Sequence, residues 1–568
     1  MTLPRPILLG TVLLAARLAG AYINPRFTPV ELVRQAECVA VVRLHGDRCT
    51  VVTALKGSVE GEHALVVSVR DEDQATTLRR VLAAGRDDPA VLFAAGKQGL
   101  LRLNGNWLQL APDGDRRWRI TGFAQEMSGV YAGGTDMLVR MTRYILSEPD
   151  ASVPARVGTR WFDRVALGRI QGATGMAVVP LESGQMLFVA STRGDHLFRP
   201  KGDDAFEEEQ LETRSSQSAW LDWDDDGRAD LATWDGTALC VRDKVVFRGT
   251  CFGLAPFTGG LLVSTTGLPI LVRPSGRTER LAGGQAVAAA GKMASACVAA
   301  DLDNDGFPDV LQPRERGGVL WRGRAGGFHT PAPSPVCSPA GGARTAVGDF
   351  DGDGALDVFL GDAKGNQLWE NDGKGAFHAV TGSACSLSYK MPTGIAACLA
   401  TDLDHDGRTD LAVAYPDSAF AYHFNRGFRC FGELGELRLT GGAFEGGPPP
   451  GARHLAAGDL NADGGLDLAV VFTGGELFVY WNHLTDAPMA VVRLPKGTPY
   501  PVTVSAWQDH DHAWCVGTYR VWDASLPTAI PLRQTGTCLL RYRVAGQPAR
   551  SMTVKVGKQP VAVVLETQ

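Results

Sequence analysis

DWDDDGRAD at 222–230, DLDNDGFPD at 301–309, DFDGDGALD at 349–357, DLDHDGRTD at 402–410 and DLNADGGLD at 459–467 are five copies of one pattern, Asp-x-Asp/Asn-x-Asp-Gly-x-x-Asp. Each copy follows a short run of small or apolar residues, such as Ala296 to Ala300. Each leads into an apolar strand, such as Leu411 to Tyr415. A second hairpin follows, as in Leu368 to Phe377, so every unit holds four strands. Start-to-start spacings are 79, 48, 53 and 57 residues. The long first gap contains a unit that kept its strands and lost its aspartates: Gly260 to Ser264, then Pro269 to Arg273. A similar relic precedes the first loop, with strands at Met176–Pro180, Met186–Ala190 and His196–Phe198. Five intact units and two relics make seven. The sequence therefore predicts a mainly β chain built on a seven-bladed β-propeller with calcium loops, over 160–485. An open solenoid would need capping repeats with a polar face, and none is identified.

The loop chemistry points to a hard cation. Calcium takes six to eight oxygens in a flexible cage. Positions 1, 3, 5 and 9 supply carboxylates or an amide, and the carbonyl of position 7 adds another ligand. The predicted ligands are thus Asp222, Asp224, Asp226, Arg228 and Asp230 in the first loop, and Asp301, Asp303, Asp305, Phe307 and Asp309 in the second. The third offers Asp349, Asp351, Asp353, Ala355 and Asp357, and the fourth Asp402, Asp404, Asp406, Arg408 and Asp410. The fifth has Asp459, Asn461, Asp463, Gly465 and Asp467. With Asn461 it carries one charge less and is expected to be the weakest. Position 6 is glycine throughout, as a turn with φ > 0 around an ion requires. Metal-free Asx turns are the bland alternative for one copy. For five copies that alternative fails, because four crowded carboxylates repel one another unless a cation is present. Magnesium prefers near-ideal octahedra with several waters.

These repeats resemble the FG-GAP/VCBS family, found in integrin α-subunit propellers and in many exported bacterial proteins. The resemblance covers roughly 165–485. It rests on the five loops and on the later Asn-x-Gly-x-Gly-x-Phe turn, present at Asn371 to Phe377 and more weakly at Gly323 to Phe328. It departs from the family in the two relics and the irregular spacing. What it implies is a non-enzymatic binding, scaffolding or adhesion module with a protein or polysaccharide ligand.

Outward from the repeats, residues 1–21 read as a secretory signal. Arg5 precedes the apolar run Ile7–Ala16 and the small-residue cleavage site Ala19-Gly20-Ala21. The expected location is secreted, periplasmic or cell surface. Residues 22–155 open with the capping box Thr28-Pro29-Val30-Glu31 and continue with strands at 39–44, 50–55 and 64–69. Apolar residues at 137, 138, 141, 144 and 145 form one helix face, so a small mixed α/β barrel-like domain is predicted. Residues 486–568 alternate apolar and polar, as a small β-sandwich does.

The 568 residues contain 68 glycines against 32 prolines, a balance that favours short strands and tight turns. The net charge of −6 becomes −8 without Arg5 and Arg17, and five calcium ions would bring it to +2. No dense basic stripe marks a nucleic-acid binder. An odd count of 11 cysteines implies a free thiol or an intermolecular bond in an exported protein. Cys38 and Cys49 flank a hairpin but sit out of line, whereas Cys515 and Cys538 are the better pair. Asp509-His510-Asp511-His512 reads as a polar turn in place of a metal site. No Gly-x-Ser-x-Gly elbow, Walker loop or His-Glu-x-x-His helix appears. The rival readings are a polysaccharide lyase or hydrolase on a calcium-stabilised propeller, and a structural cell-surface component. The long connections at about 331–343, 379–395 and 440–452 are expected to carry a partner site, with Tyr389, Lys390, Phe444 and Arg453 in or beside them.

Overall fold

The computed structural model describes residues 28–85, 89–153, 160–181, 184–202, 205–292, 295–380, 394–417, 421–431, 437–440, 451–483, 488–508, 515–522 and 524–566. Residues 1–21, the 509–512 cluster, Tyr389, Lys390 and Phe444 lie outside them. The chain divides into two compact units, one of residues 1–131 with 149–156, the other of 132–148 with 157–568.

The first unit is a closed seven-stranded barrel. Its entry helix, Pro29–Gln35, has the predicted capping box: Thr28 Oγ1 accepts from the Glu31 N–H while the Glu31 carboxylate accepts from the Thr28 N–H. The barrel is filled by Leu44, Leu65, Leu92, Leu101 and Ile120. Leu78 and Leu82 of the helix Glu72–Ala84 pack against them.

The second unit begins with the helix Thr135–Ser147, which buries the apolar face read from the sequence, Met137, Leu138, Met141, Tyr144 and Ile145. Among the described residues seven sheets follow in chain order, the first six antiparallel. Sheet 1 spans 173–210, sheet 2 217–248, sheet 3 253–280, sheet 4 298–334, sheet 5 344–379 and sheet 6 397–423. Sheet 7 is made of Ala452–Gly458, Asp467–Phe472 and Glu476–Asn482. It is completed by Arg160–Arg169, a strand that lies ahead of sheet 1 in the chain, with Leu437–Thr440 beyond it.

Among the described residues seven apolar cores lie between successive sheets. Phe188 of sheet 1 meets Trp220 of sheet 2. Similar clusters join sheets 2 and 3, 3 and 4, 4 and 5, 5 and 6, and 6 and 7. The seventh joins sheet 7 back to sheet 1, through Val471, Leu477 and Val479 against Leu187, Val189 and Phe198. The first strand of sheet 7, Ala452–Gly458, also contacts the first strand of sheet 1, Ala173–Leu181.

Strands Met489–Arg493, Thr528–Pro531 and Val561–Val564 form a three-stranded sheet, and Val502–Trp507, Cys515–Val521, Gly536–Tyr542 and Arg550–Val556 a four-stranded one, over one core of Ala490, Val492, Val504, Ala506, Leu540 and Val554. The pairing expected of Cys515 and Cys538 is not formed, and both thiols are free. Their strands, Cys515–Val521 and Gly536–Tyr542, flank Val502–Trp507 on opposite edges. That puts the two cysteines about two strand spacings apart, near 10 Å, beyond disulfide reach.

Phe162, on the strand that completes sheet 7, is 1 % exposed and packs into the core shared by sheets 6 and 7. Phe162→Ala should cost about 3–5 kcal/mol by cavity formation. Denaturant unfolding checks this, and an unchanged midpoint would mean that the strand does not hold the sheets together.

Candidate metal centre

Every loop joins the first strand of its sheet to the second, and each folds by the same local bonds. Position 1 is an aspartate whose two oxygens accept from the N–H groups of positions 5 and 6. The pairs are Asp226 and Gly227 on Asp222, Asp305 and Gly306 on Asp301, and Asp353 and Gly354 on Asp349. Asp406 and Gly407 on Asp402, and Asp463 and Gly464 on Asp459, complete the set. Position 6 has φ between 83° and 91° in all five loops, which is why it is glycine. Position 4 is left-handed too, at Asp225, Asn304, Gly352, His405 and Ala462, a constraint not read from the sequence. Mostly these are residue types that tolerate that region.

The position 9 aspartate locks the loop to its sheet. One oxygen accepts from the N–H of position 2, at Trp223, Leu302, Phe350, Leu403 and Leu460. In the last four loops the other accepts from a backbone N–H near the end of the third strand, at Gly323, Asn371, Asn425 and Asn482. The three asparagines then reach further. Each Nδ2 donates to a carbonyl of its own loop and to the position 2 carbonyl of the preceding one: Asn371 to Leu356 and Leu302, Asn425 to Thr409 and Phe350, Asn482 to Leu466 and Leu403. The last four loops are thereby tied in series. The sequence marked only Asn371, as part of a turn.

Three of the five predicted ligands come together in each of four loops. Carboxylate oxygens of Asp222, Asp224 and Asp230 lie within 4.8 Å of one another, as do those of Asp301, Asp303 and Asp309. The same holds for Asp349, Asp351 and Asp353, and for Asp402, Asp404 and Asp410. Oxygens about 2.3–2.6 Å from one ion would be spaced this way. In the fifth loop, where Asn461 replaces an aspartate, the Asn461 amide donates to Asp463 Oδ2 at 3.0 Å. The backbone positions Arg228, Phe307, Ala355 and Gly465 each donate their N–H to the position 5 carboxylate. At position 7 of the fourth loop, the Arg408 guanidinium pairs with Asp406, at 2.8 Å. The first loop differs in its surroundings. It is largely exposed, and the Arg242 guanidinium pairs with both Asp224 and Asp230.

The donor set fits a divalent cation. Asp303 Oδ1 is buried with no hydrogen-bond partner among the described residues, while Oδ2 lies 3.4 Å from Arg322 Nε. Burial, reinforced by the neighbouring aspartates, pushes Asp301 up to about 7 and Asp349, Asp351, Asp353 and Asp459 up to about 6. Asp309, Asp357, Asp402, Asp410 and Asp467 are raised well above the usual carboxylate range for the same reason.

Without metal, these groups hold protons more tightly folded than unfolded, where aspartate titrates near about 3.9. Their contribution to stability is full below the unfolded value and is lost as pH rises through about 6 to 7. In chelator, the melting temperature should therefore fall from about pH 5 to about pH 7.5, and saturating calcium should remove or reverse that slope. A rising slope in chelator would show that the carboxylates are not crowded in the metal-free fold.

A profile of FG-GAP-like repeats matches residues 301–360, 349–413 and 402–470. A comparison with curated proteins finds no matching sequence. Among solved structures, BBS1N in complex with ARL6DN is 14 % identical, covering 58 % of this chain and 99 % of that one at a TM-score of 0.38. A putative gluconolactonase is 12 % identical, covering 57 % and 92 % at 0.32. BamB from Moraxella catarrhalis is 13 % identical, covering 55 % and 84 % at 0.31. Residues 301–470 thus carry FG-GAP-like repeats, and each of the three matched stretches spans two of the acidic loops.

Proposed function

We propose that this chain is an exported seven-bladed β-propeller whose five loops bind calcium. A β-sandwich follows the propeller, and a barrel domain precedes it. The whole works as a binding or scaffolding module outside the cytoplasm. The observation that carries this reading is the recurrence of a three-aspartate cluster at the same turn of sheets 2, 4, 5 and 6. The seven cores linking the sheets in cyclic order support the blade count. Among the described residues no helix is long and apolar enough to cross a membrane.

The residues proposed as ligands are those at positions 1, 3, 5, 7 and 9 of each loop. Calcium would supply the positive charge that lets their carboxylates ionise together. Two sites should be weaker than the rest. In the first, Arg242 already partners Asp224 and Asp230. In the fifth, Asn461 removes a charge. A protein or polysaccharide partner would dock on the connections between sheets, which leave from the end of each sheet opposite the metal loops. Of the four residues proposed there, Arg453 is exposed on the first strand of sheet 7.

Elemental analysis after dialysis should find about five calcium ions per chain at millimolar free calcium. None or one would overturn the reading. Each occupied site stabilises the fold by about 2.7 kcal/mol when free calcium is about a hundredfold above Kd. Chelation should therefore lower the melting temperature. Asp357→Ala should lose one ion, and should also release the Phe350 and Asn371 N–H groups that Asp357 accepts from.

A further inference from the structure

The three central loops, 301–309, 349–357 and 402–410, do not face solvent alone. The four-stranded sheet of the C-terminal region is fastened to them. Thr518 Oγ1 donates to Asp349 Oδ2 at 2.9 Å, a direct bond to a carboxylate of the cluster. Thr503 Oγ1 donates to the Asp301 carbonyl at 3.2 Å, and the Cys515 N–H to the Gly352 carbonyl at 3.2 Å. Arg520 Nη1 donates to the Ala299 carbonyl, just ahead of the second loop, at 3.2 Å. The helix Thr135–Ser147 holds the third loop as well, since Arg140 donates to the Asp351 and Gly352 carbonyls at 2.8 and 2.6 Å.

The position 6 glycines report the same contact. A Cβ on Gly306 would lie 2.8 Å from Arg543 Cγ and 3.0 Å from the Val544 backbone. On Gly354 it would lie 3.0 Å from the Trp507 ring, and on Gly407 3.0 Å from Arg533 Cβ. On Gly227, in the exposed first loop, it would meet nothing within 4 Å, although φ there is the same, 91°. In these three loops glycine is thus required twice over, by its conformation and by the apposed sheet.

We propose that these three metal loops are the clamp that seats the C-terminal sheets, so that calcium binding and C-terminal docking form one coupled equilibrium. The atoms gripped by Thr518, Thr503, Cys515 and Arg140 belong to loop positions 1, 3 and 4. Their placement depends on whether four carboxylates are drawn around an ion or pushed apart. An ion that favours the gripped arrangement stabilises docking, and by linkage docking tightens the ion by the same factor. The proposal rests on calcium being the ligand of the loops.

Hydrogen exchange of the full chain, in calcium and in chelator, reads docking directly, with bound metal counted in the same samples. Strands Val502–Trp507 and Cys515–Val521 should lose protection on chelation by at least about tenfold more than Gly260–Ser264, which belongs to a sheet without a metal loop. Thr518→Val keeps the side-chain shape and removes the donor to Asp349. It should weaken one calcium site by about five- to tenfold and leave the others unchanged. Gly306→Ala should raise exchange in 502–521 beyond the effect of Gly227→Ala, which carries the same backbone strain without the contact. If metal is bound and both strands exchange equally with and without it, the coupling is wrong while calcium binding stands. If no metal is bound, both readings fall together.

Discussion

Carboxylates held within 4.8 Å of one another, largely out of water, are the constraint around which the second unit is arranged. Like charges at that separation are tolerable only if protons or a cation neutralise them. Each cluster sits at a turn between two strands, and the backbone around it is committed to the aspartates. Positions 5 and 6 donate to Asp at position 1, and position 2 donates to Asp at position 9. The loop is thus shaped by its acids before any ion arrives, and what remains is a charge to be cancelled. That division of labour suits calcium, which accepts a flexible oxygen cage.

The clusters are not independent of one another. Asn371, Asn425 and Asn482 carry hydrogen bonds from one loop to the next across the boundary between sheets, alongside the apolar cores that fill those boundaries. Removing one of these amides would strip two buried carbonyls, each costing about 1–3 kcal/mol. The proposed metal sites, the order of the sheets and the contacts of the C-terminal sheet share the same few loop atoms. A change at one loop should therefore be felt at its neighbours.

Much of this was legible in the sequence, because loop chemistry is local. Nine residues fix the turn, the glycine and the charges, and the repeat of that signal five times discloses the units. The capping box at Thr28 and the apolar face of Thr135–Ser147 were readable for the same reason. What was missed depends on partners far away in the chain. Arg160–Arg169 has no repeat signature, and its place in sheet 7 is set by Glu476–Asn482, some three hundred residues on. The helix Thr135–Ser147 groups with the second unit through bonds such as Arg140 to Asp351 and Arg429 to Asp136, which no local pattern announces. Cys515 and Cys538 suit a pair by local pattern alone, but the strand order places Val502–Trp507 between them. Thr518, Thr503 and Arg520 lie on ordinary alternating strands, and only the fold turns them toward the loops.

Anomalous scattering from crystals grown in calcium would test the central claim most directly. The account expects discrete peaks within the oxygen clusters of Asp301, Asp303 and Asp309, of Asp349, Asp351 and Asp353, and of Asp402, Asp404 and Asp410. Weaker peaks are expected at the loops of Arg242 and Asn461. Clusters that show no peak at saturating calcium, with Asp303 Oδ1 left facing only water, would contradict it.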